Sequence, residues 1–554
     1  MQVEASLHSI EERSGSDTAQ KRNQRLLANP TLWLLVAFSV IYFADMLLRA
    51  SEKYWWYDEL FTIYACRLPN FGALWNALSH GFDFNPPLFH ILTNASQAVF
   101  GEGLISSRLP QILAFWVLCL SLFRFVSRRS GTVAGLIAMI FPLLTTASFY
   151  AYEARPHGII LGFAGLALVC WQMAIEQPNR RRWLVGFSGS LLLAFLLHCY
   201  ALLIVAPFAV AELFRTVQSR RINWPRFVAL TTPTVIAAAT YIPLLLAYKS
   251  LAQGTDFEQG GQAGWGHVAY FYVFLLAPCI LVMIFALALL VVNGAKFMGS
   301  LAPALARGGD QVAAVELVLA LSFLALPAFG VVYAKIAHGP VIGRYFLPTV
   351  VGVSMVLGAL FAKQRTALWV RVTLALVMVL TIGEPFGRLV WHRYHGWGEN
   401  LTEPISGRPM NTTPGHPLDR YSMFLSEANR SPLPIGVLTQ WDFVYLVHYA
   451  PQLVPRLYFV TSSESSFYYR AFRELRPWFP VKYNTQLTFR EFGRSAPHSL
   501  VYGLYRDDEL KALSTIVQAG RTITSFKLTD GHFLAEVEPK SIARLDNSDN
   551  NRAR

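Results

Sequence analysis

Between residues 31 and 390, long apolar runs alternate with short polar segments, and charged residues are nearly confined to the polar segments. At about 1.5 Å of rise per residue, roughly 20 apolar residues match the hydrocarbon thickness of a bilayer. The pattern therefore predicts a polytopic α-helical membrane protein with about eleven transmembrane helices. The predicted spans are 31–49, 109–126, 131–149, 156–174, 183–198, 199–214, 227–248, 268–292, 313–335, 345–362 and 372–390. The fifth and sixth form one run interrupted near His198-Cys199-Tyr200, too long for one crossing and barely enough for two. Residues 1–30 are polar, and the run beginning at Leu32 has no small-residue cleavage site, so it reads as a retained span.

Beyond 390 the pattern changes to that of a soluble chain. Residues 391–430, rich in Gly, Pro, Asn and Arg, read as a linker or a loop over a site. In 431–540, "IGVLTQ", "RLYFVT" and "HSLVYGLY" read as strands, "WDFVYLVHYA" and "DDELKALSTIVQAG" as helices, and "RTITSFKLTDGHFLAEVEP" as a strand pair turning at Asp530-Gly531. This predicts a small α/β domain. Residues 541–554 have the composition of a disordered tail.

Charge gives the map a direction. Arg22 and Arg25; Arg124, Arg128 and Arg129; Arg180 to Arg182; Arg215, Arg220, Arg221 and Arg226; Lys296 and Arg307; and Lys363, Arg365 and Arg371 all fall on one side of it. The positive-inside rule makes that side cytoplasmic, and an odd number of spans exports the C-terminal domain. The same rule accounts for the net charge of +13. No basic stripe with interleaved aromatics points to nucleic acid. Asn94, Asn400 and Asn411 fit the N-x-[ST] sequon, a pattern common by chance. Five cysteines without a CxxC spacing point away from a disulfide scaffold and from a thiolate zinc site.

Three arginines break the charge rule. Arg108 ("SSRLP"), Arg155 ("YEARPHG") and Arg344 ("IGRYFLP") stand where spans enter from the outer side, with Pro110, Pro156 and Pro348 in or near the first turn. A helix N-terminus favours anions, and an arginine adds a planar fork suited to phosphate. The large outer loop 50–108 carries Asp58 and Glu59 among aromatics in "KYWWYDELFTIY", an amphipathic segment expected to lie along the interface. A carboxylate beside an anion cradle suits group transfer from a lipid-linked phosphate, with the Asp accepting a proton from an attacking hydroxyl. Neighbours on a helix point about 100° apart, so Asp58 and Glu59 are expected to have different tasks.

These residues carry a resemblance. "WYDE" (Trp56 to Glu59), "DFNPPLFHIL" (Asp83 to Leu92), "FGEGLISSRLP" (Phe100 to Pro110) and "YEARPHG" (Tyr152 to Gly158) occur in order, with weaker echoes in "LLHCYALL" around His198 and in "GRYFLP". The sequence resembles the GT-C fold glycosyltransferases that use polyprenyl-phosphate sugars. The nearest likeness is to the bacterial branch of aminoarabinose transferases, lipopolysaccharide-core transferases and protein mannosyltransferase relatives. The resemblance implies Asp58 as general base or acceptor-orienting residue, with Glu59 as its acidic partner. It implies Arg155, Arg344 and Tyr345 at the donor phosphate, alongside the Arg108 read from the charge pattern. Glu153, His157, Asp83, Asn85, Pro86, Pro87 and His198 would shape the site. It further implies a bacterial inner-membrane enzyme with a periplasmic C-terminal domain, taking a polyprenyl-phosphate-linked sugar to a lipid, glycan or protein acceptor. Phe84 and Asn85 replace the acidic residue and lysine that aminoarabinose transferases often carry before Pro-Pro, which argues against aminoarabinose as the sugar.

No nucleotide binding is required, which fits the absence of a Gly-rich phosphate loop such as GxxxxGK[ST]. His80, His90, His157, His198, His267 and His338 lie toward the outer side without an HExxH-type spacing, so a divalent metal is left open. The rival reading is a lipid-linked sugar flippase or transporter. It would call for mid-membrane charges and repeated halves, and no clear repeat occurs.

Overall fold

The computed structural model describes residues 29–253, 264–296, 311–337, 342–395, 418, 421–462, 466–484, 486–518, 521–529 and 531–540. The N-terminal tail, most of the 391–430 segment with Asn400 and Asn411, Arg307, His338, Asp530 and residues 541–554 lie outside them.

The helices run in chain order as α1 (Pro30–Glu52), α2 (Tyr57–Cys66), α3 (Phe71–Ser79), α4 (Pro87–Phe100), α5 (Leu104–Ser130), α6 (Thr132–Ile140), α7 (His157–Glu176), α8 (Arg182–Phe195), α9 (Val205–Ser219), α10 (Trp224–Ala252), α11 (Gly266–Leu276), α12 (Ile280–Val292), α13 (Gln311–Leu324), α14 (Leu326–Ala337), α15 (Thr349–Leu360) and α16 (Leu368–His395). Among the described residues, seven helical stretches are long and apolar enough to cross a membrane, or nine if each of two bent pairs is one span. The bends, of 75° near Thr145 and 54° near Ala325, fall inside the predicted spans 131–149 and 313–335. The shorter apolar helices α8 and α15 occupy two more of the predicted positions. The chain is a multi-pass membrane protein. Helix α1 shows how sequence sets placement. Asn29 caps it by accepting the Thr31 N–H, and Pro30 sits in its first turn. Tyr42, Met46 and Ala50 face the protein at helical spacing, while Trp33, Leu34, Val40 and Ile41 are left to lipid.

Two ends of the bundle are chemically distinct. At one, the Arg128 guanidinium binds Glu176, Arg129 lies 2.7 Å from Glu316, and the Lys363 N–H donates to Ser130 O. Arg108 and Arg155 lie at the opposite ends of α5 and of the α7 segment, about 30 Å away by helical rise. The basic loops thus share one end and the site residues share the other.

The C-terminal portion adds α17 (Ser422–Arg430), α18 (Gln440–Tyr449), α19 (Phe467–Leu475), α20 (Phe489–Ser495) and α21 (Asp507–Gln518), interleaved with β1 (Ile435–Val437), β2 (Leu457–Thr461), β3 (Leu487–Thr488), β4 (Ser499–Leu504), β5 (Arg521–Thr529) and β6 (His532–Pro539). The sheet order is β3-β2-β1-β4-β6-β5. Its first four strands are parallel, and β6 runs antiparallel to both β4 and β5. The β5–β6 turn passes through Gly531 at φ 75°, a conformation that favours glycine. One face of the sheet has its own core, of Val460, Phe492, Val501, Leu513, Phe533 and Val537, while the other is shared with the membrane domain. Leu60, Tyr64, Leu74, Leu78 and Phe82 of the outer loop and Leu251 of α10 pack with Phe443, Leu446, Phe472 and Phe479 in one cluster.

One sequence expectation is corrected here. Arg108 does not begin a helix: α5 starts at Leu104, so Arg108 lies in its second turn and Pro110 lies inside the helix. Pro110 cannot donate to Ser106 O, and the Ser96 hydroxyl takes that carbonyl instead at 2.6 Å.

Candidate active site

Helix α2 places the acidic pair. Asp58 and Glu59 are its second and third residues, where carboxylates suit the helix dipole. Glu59 turns inward and is fully buried. It receives Arg108 through two parallel bonds, Nε to Oε1 at 2.9 Å and Nη2 to Oε2 at 2.8 Å. It also accepts the N–H groups of Ala154 (2.6 Å) and Trp56 (3.2 Å), with Lys53 Nζ at 3.5 Å. Burial by itself raises this carboxyl, but Arg108 and Lys53 override it and hold it down to about 2. Glu59 is thus the joint between the "WYDE" helix and the "YEARP" segment.

The other N–H groups of Arg108 reach the carbonyls of Ala50 (2.7 Å), Lys53 and Tyr54 (3.2 Å). All five guanidinium donors are occupied within a fully buried setting. The expected phosphate contact of Arg108 is therefore replaced by a structural one.

Asp58 points the other way and keeps 17% of its side chain exposed. Its Oδ2 lies 2.9 Å from Nη1 of Arg344, from the short 3-10 helix Gly343–Phe346 that leads through Pro348 into α15. Arg155 approaches the same helix turn. Its Nη1 donates to Asp58 O (3.2 Å), to the Thr62 hydroxyl (3.2 Å) and to Asp83 Oδ2 (3.0 Å). Asp83 is held in turn by the Asn85 amide at 2.8 Å, with His90 Nε2 at 3.6 Å. Burial pushes His90 down to about 4, so its imidazole is neutral at pH 7. Pro86 and Pro87 open α4 and fix the turn that carries Asp83 and Asn85.

A ring cluster closes the other side. Tyr345 stacks on Tyr200 at 3.9 Å, with His198 at 5.1 Å and His157 at 6.2 Å. Glu153 is buried, and neither carboxylate oxygen has a hydrogen-bond partner among the described residues. Burial lifts it to about 7 against the pull of Lys53. Below Tyr200 an apolar cavity of about 390 Å³ runs between Leu203, Ala206, Phe329, Tyr333 and Ile336.

The fold thus gathers Asp58, Asp83, Asn85, Arg155, His157, His198, Arg344 and Tyr345, and leaves Arg108 behind the wall. Three neighbours were not singled out from sequence: Lys53, Thr62 and Tyr200. Lys53 had a signal, since it is a cation directly before the aromatic block, on the side that the charge pattern reads as outer. It lies buried, 4.3 Å from the centre of the Phe149 ring. The only group of three metal-type ligands among the described residues is His498, Glu536 and Glu538, on the sheet of the C-terminal portion, and it includes none of the residues gathered here.

Together the helical bundle, the long amphipathic loop 50–108 and the appended α/β sheet make up a membrane protein of the GT-C fold. Structures of ArnT from Cupriavidus metallidurans share it. One, bound to undecaprenyl phosphate, is 14% identical over 93% of this chain and 99% of that chain, with a TM-score of 0.52. The other, in the apo state, is 13% identical over 91% and 97%, with the same TM-score. The sequence profile of dolichyl-phosphate-mannose-protein mannosyltransferases matches residues 85–246. No curated protein matches the chain.

Proposed function

We propose that this chain transfers a sugar from a polyprenyl-phosphate donor to an acceptor hydroxyl at the extracytoplasmic face of a bacterial inner membrane. The observation that carries this reading is the partly open Asp58–Arg344 pair, linked through Tyr345, which stacks on Tyr200, to an apolar cavity that Tyr200 lines. The likeness to an ArnT bound to undecaprenyl phosphate supports the same class of donor.

In this mechanism the prenyl chain enters the cavity past Tyr200 and Tyr333, and the phosphate meets Arg344 and Arg155. A phosphate on Arg344 competes with Asp58 for the guanidinium and frees the carboxylate. Asp58 then takes the proton of the acceptor hydroxyl as its oxygen attacks the anomeric carbon. The bond from that carbon to the phosphate oxygen breaks, and its electron pair leaves on the phosphate, stabilised by the two arginines. Attack opposite the leaving group inverts the anomeric centre. Asp83, Asn85 and His90 hold Arg155 in position, and Glu153, His157 and His198 shape the space around the sugar. The acceptor is a lipid, glycan or protein.

The test is Asp58→Asn in purified, reconstituted protein. Loss of a general base predicts a fall of roughly 10²–10⁴-fold in transfer, with binding of undecaprenyl phosphate retained. A variant that still transfers at the native rate sinks the assignment. If no transfer is found and lipid-linked sugar moves between leaflets unaffected by Asp58→Asn, the flippase reading takes over.

A further inference from the structure

The basic end of the bundle contains a second built site. We propose that the cavity between α9, the turn 220–223, the start of α10 and α13 binds the phosphate of an anionic phospholipid. The cavity holds about 340 Å³ and is lined by Arg215, Arg221 and Arg226 with Glu212, Thr216 and Asn223. It lies at the far end of the bundle from Asp58, and the inference does not depend on the proposed transfer.

The charges there do not cancel. Glu212 is the one carboxylate among the lining residues, against three arginines, which leaves a surplus of two positive charges (three minus one). One Glu212 oxygen already accepts Trp171 Nε1 at 2.9 Å. Its other oxygen is 3.6 Å from Arg226 Nε, too far for a hydrogen bond. Arg226 is only 6% exposed, and its Nε has no acceptor among the described residues; nor has the buried Nη1 of Arg215. Snorkelling arginines extend outward to water or headgroups. Arg226 instead spends its burial inside the cavity, with donors left for an acceptor of several oxygens.

The backbone is bent to make this place. Arg220 adopts φ 52°, the one non-glycine residue in the left-handed region among those described. That turn ends α9, sets Arg221 at the rim and brings Asn223 to cap α10, where it accepts the Arg226 N–H at 3.2 Å. The rim selects a lipid over a soluble phosphate. Leu213, Val217, Ile222 and Phe227 are exposed beside the opening, and Trp224 is 62% exposed at the level where tryptophans mark a membrane interface. A headgroup in the cavity leaves acyl chains against that apolar surface. Basic pockets between spans at this depth suit anionic headgroups.

The test uses the full-length protein in phosphatidylcholine vesicles doped with acyl-brominated phosphatidylglycerol or, at equal mole fraction, acyl-brominated phosphatidylcholine. The Trp224 fluorescence is isolated by difference from Trp224→Phe. Quenching of that component is expected to favour phosphatidylglycerol, by about fivefold in local enrichment per arginine engaged. Arg221→Gln, an exposed change with no packing to lose, should reduce the preference, and the Arg215→Gln, Arg221→Gln pair should abolish it. Equal quenching by the two lipids, or a preference that survives the double change, overturns the proposal. Binding of inorganic phosphate to the delipidated protein without any lipid preference also overturns it, in favour of a soluble ligand.

Discussion

Adjacent positions on a helix point about 100° apart, and Asp58 and Glu59 use that separation. Glu59 is sealed behind α2 as the counterion of Arg108, while Asp58 stays at the opening with Arg344. Removing one partner of a buried, hydrogen-bonded pair leaves a charge that water cannot reach, at a cost of about 3–5 kcal/mol. Glu59→Gln is therefore expected to lower Tm and yield sharply in detergent, whereas Asp58→Asn should keep a near-native Tm while losing transfer. A Glu59→Gln protein of native Tm without activity would move Glu59 from architecture into chemistry. The adjacency of the two carboxylates was legible in the sequence, as was the expectation of separate tasks. Which one faced inward depended on Arg108 and on the Ala154 N–H, groups distant in the chain.

At the scale of elements, the bundle is held by close helix contacts that need missing side chains. Helix α7 carries Gly158, Gly162 and Gly165 along the face toward α5 and its neighbours. A Cβ on Gly162 would stand 2.4 Å from Ala114 O and 2.8 Å from Ala114 Cβ. The obstacle is backbone and cannot swing aside, so Gly162→Ala must push α5 and α7 apart and lower thermal stability. Gly189→Ala on α8 is the control, because nothing lies within 4 Å of its Cβ and alanine is favoured over glycine in a helix by about 1 kcal/mol. Thermal unfolding of both variants in one detergent checks the contrast; equal Tm values would remove packing as the cause. The sequence located α7, yet its apolar run does not say which neighbour its glycines meet. The bends near Thr145 and Ala325 likewise escaped a hydropathy pattern, since bent and straight helices bury the same kinds of residue.

At the scale of the whole molecule, the C-terminal portion and the loop 50–108 share a core, and that sharing braces the helix that carries Asp58. Trp441 packs against Tyr57 at 4.7 Å and Trp56 at 6.2 Å, His448 Nδ1 meets the Tyr64 hydroxyl at 2.8 Å, and Tyr449 donates to Trp55 O at 2.9 Å. Trp441 is itself half-exposed, so its loss leaves the sheet intact and removes about 0.5–1.5 kcal/mol of aromatic contact from the docking. Trp441→Ala should speed hydrogen exchange across Tyr57–Cys66 and reduce transfer, measured by exchange mass spectrometry alongside the activity assay. Unchanged exchange in α2 would show that the loop is ordered without this contact.

The sequence by itself determined the solvent of each region, the basic end, the alternation of strands and helices after residue 430, and the outlying status of Arg155 and Arg344. These follow from hydropathy and charge, which each residue carries wherever it stands. Only the tertiary structure decided that Arg108 is spent on Glu59, that Lys53 is buried beside it, that Tyr200 completes the ring cluster, and that the outer loop and the sheet pack as one body. Those outcomes are pairings between segments far apart in the chain. A guanidinium can serve a phosphate or a buried carboxylate equally well, and only the position of its nearest acceptors chooses between them.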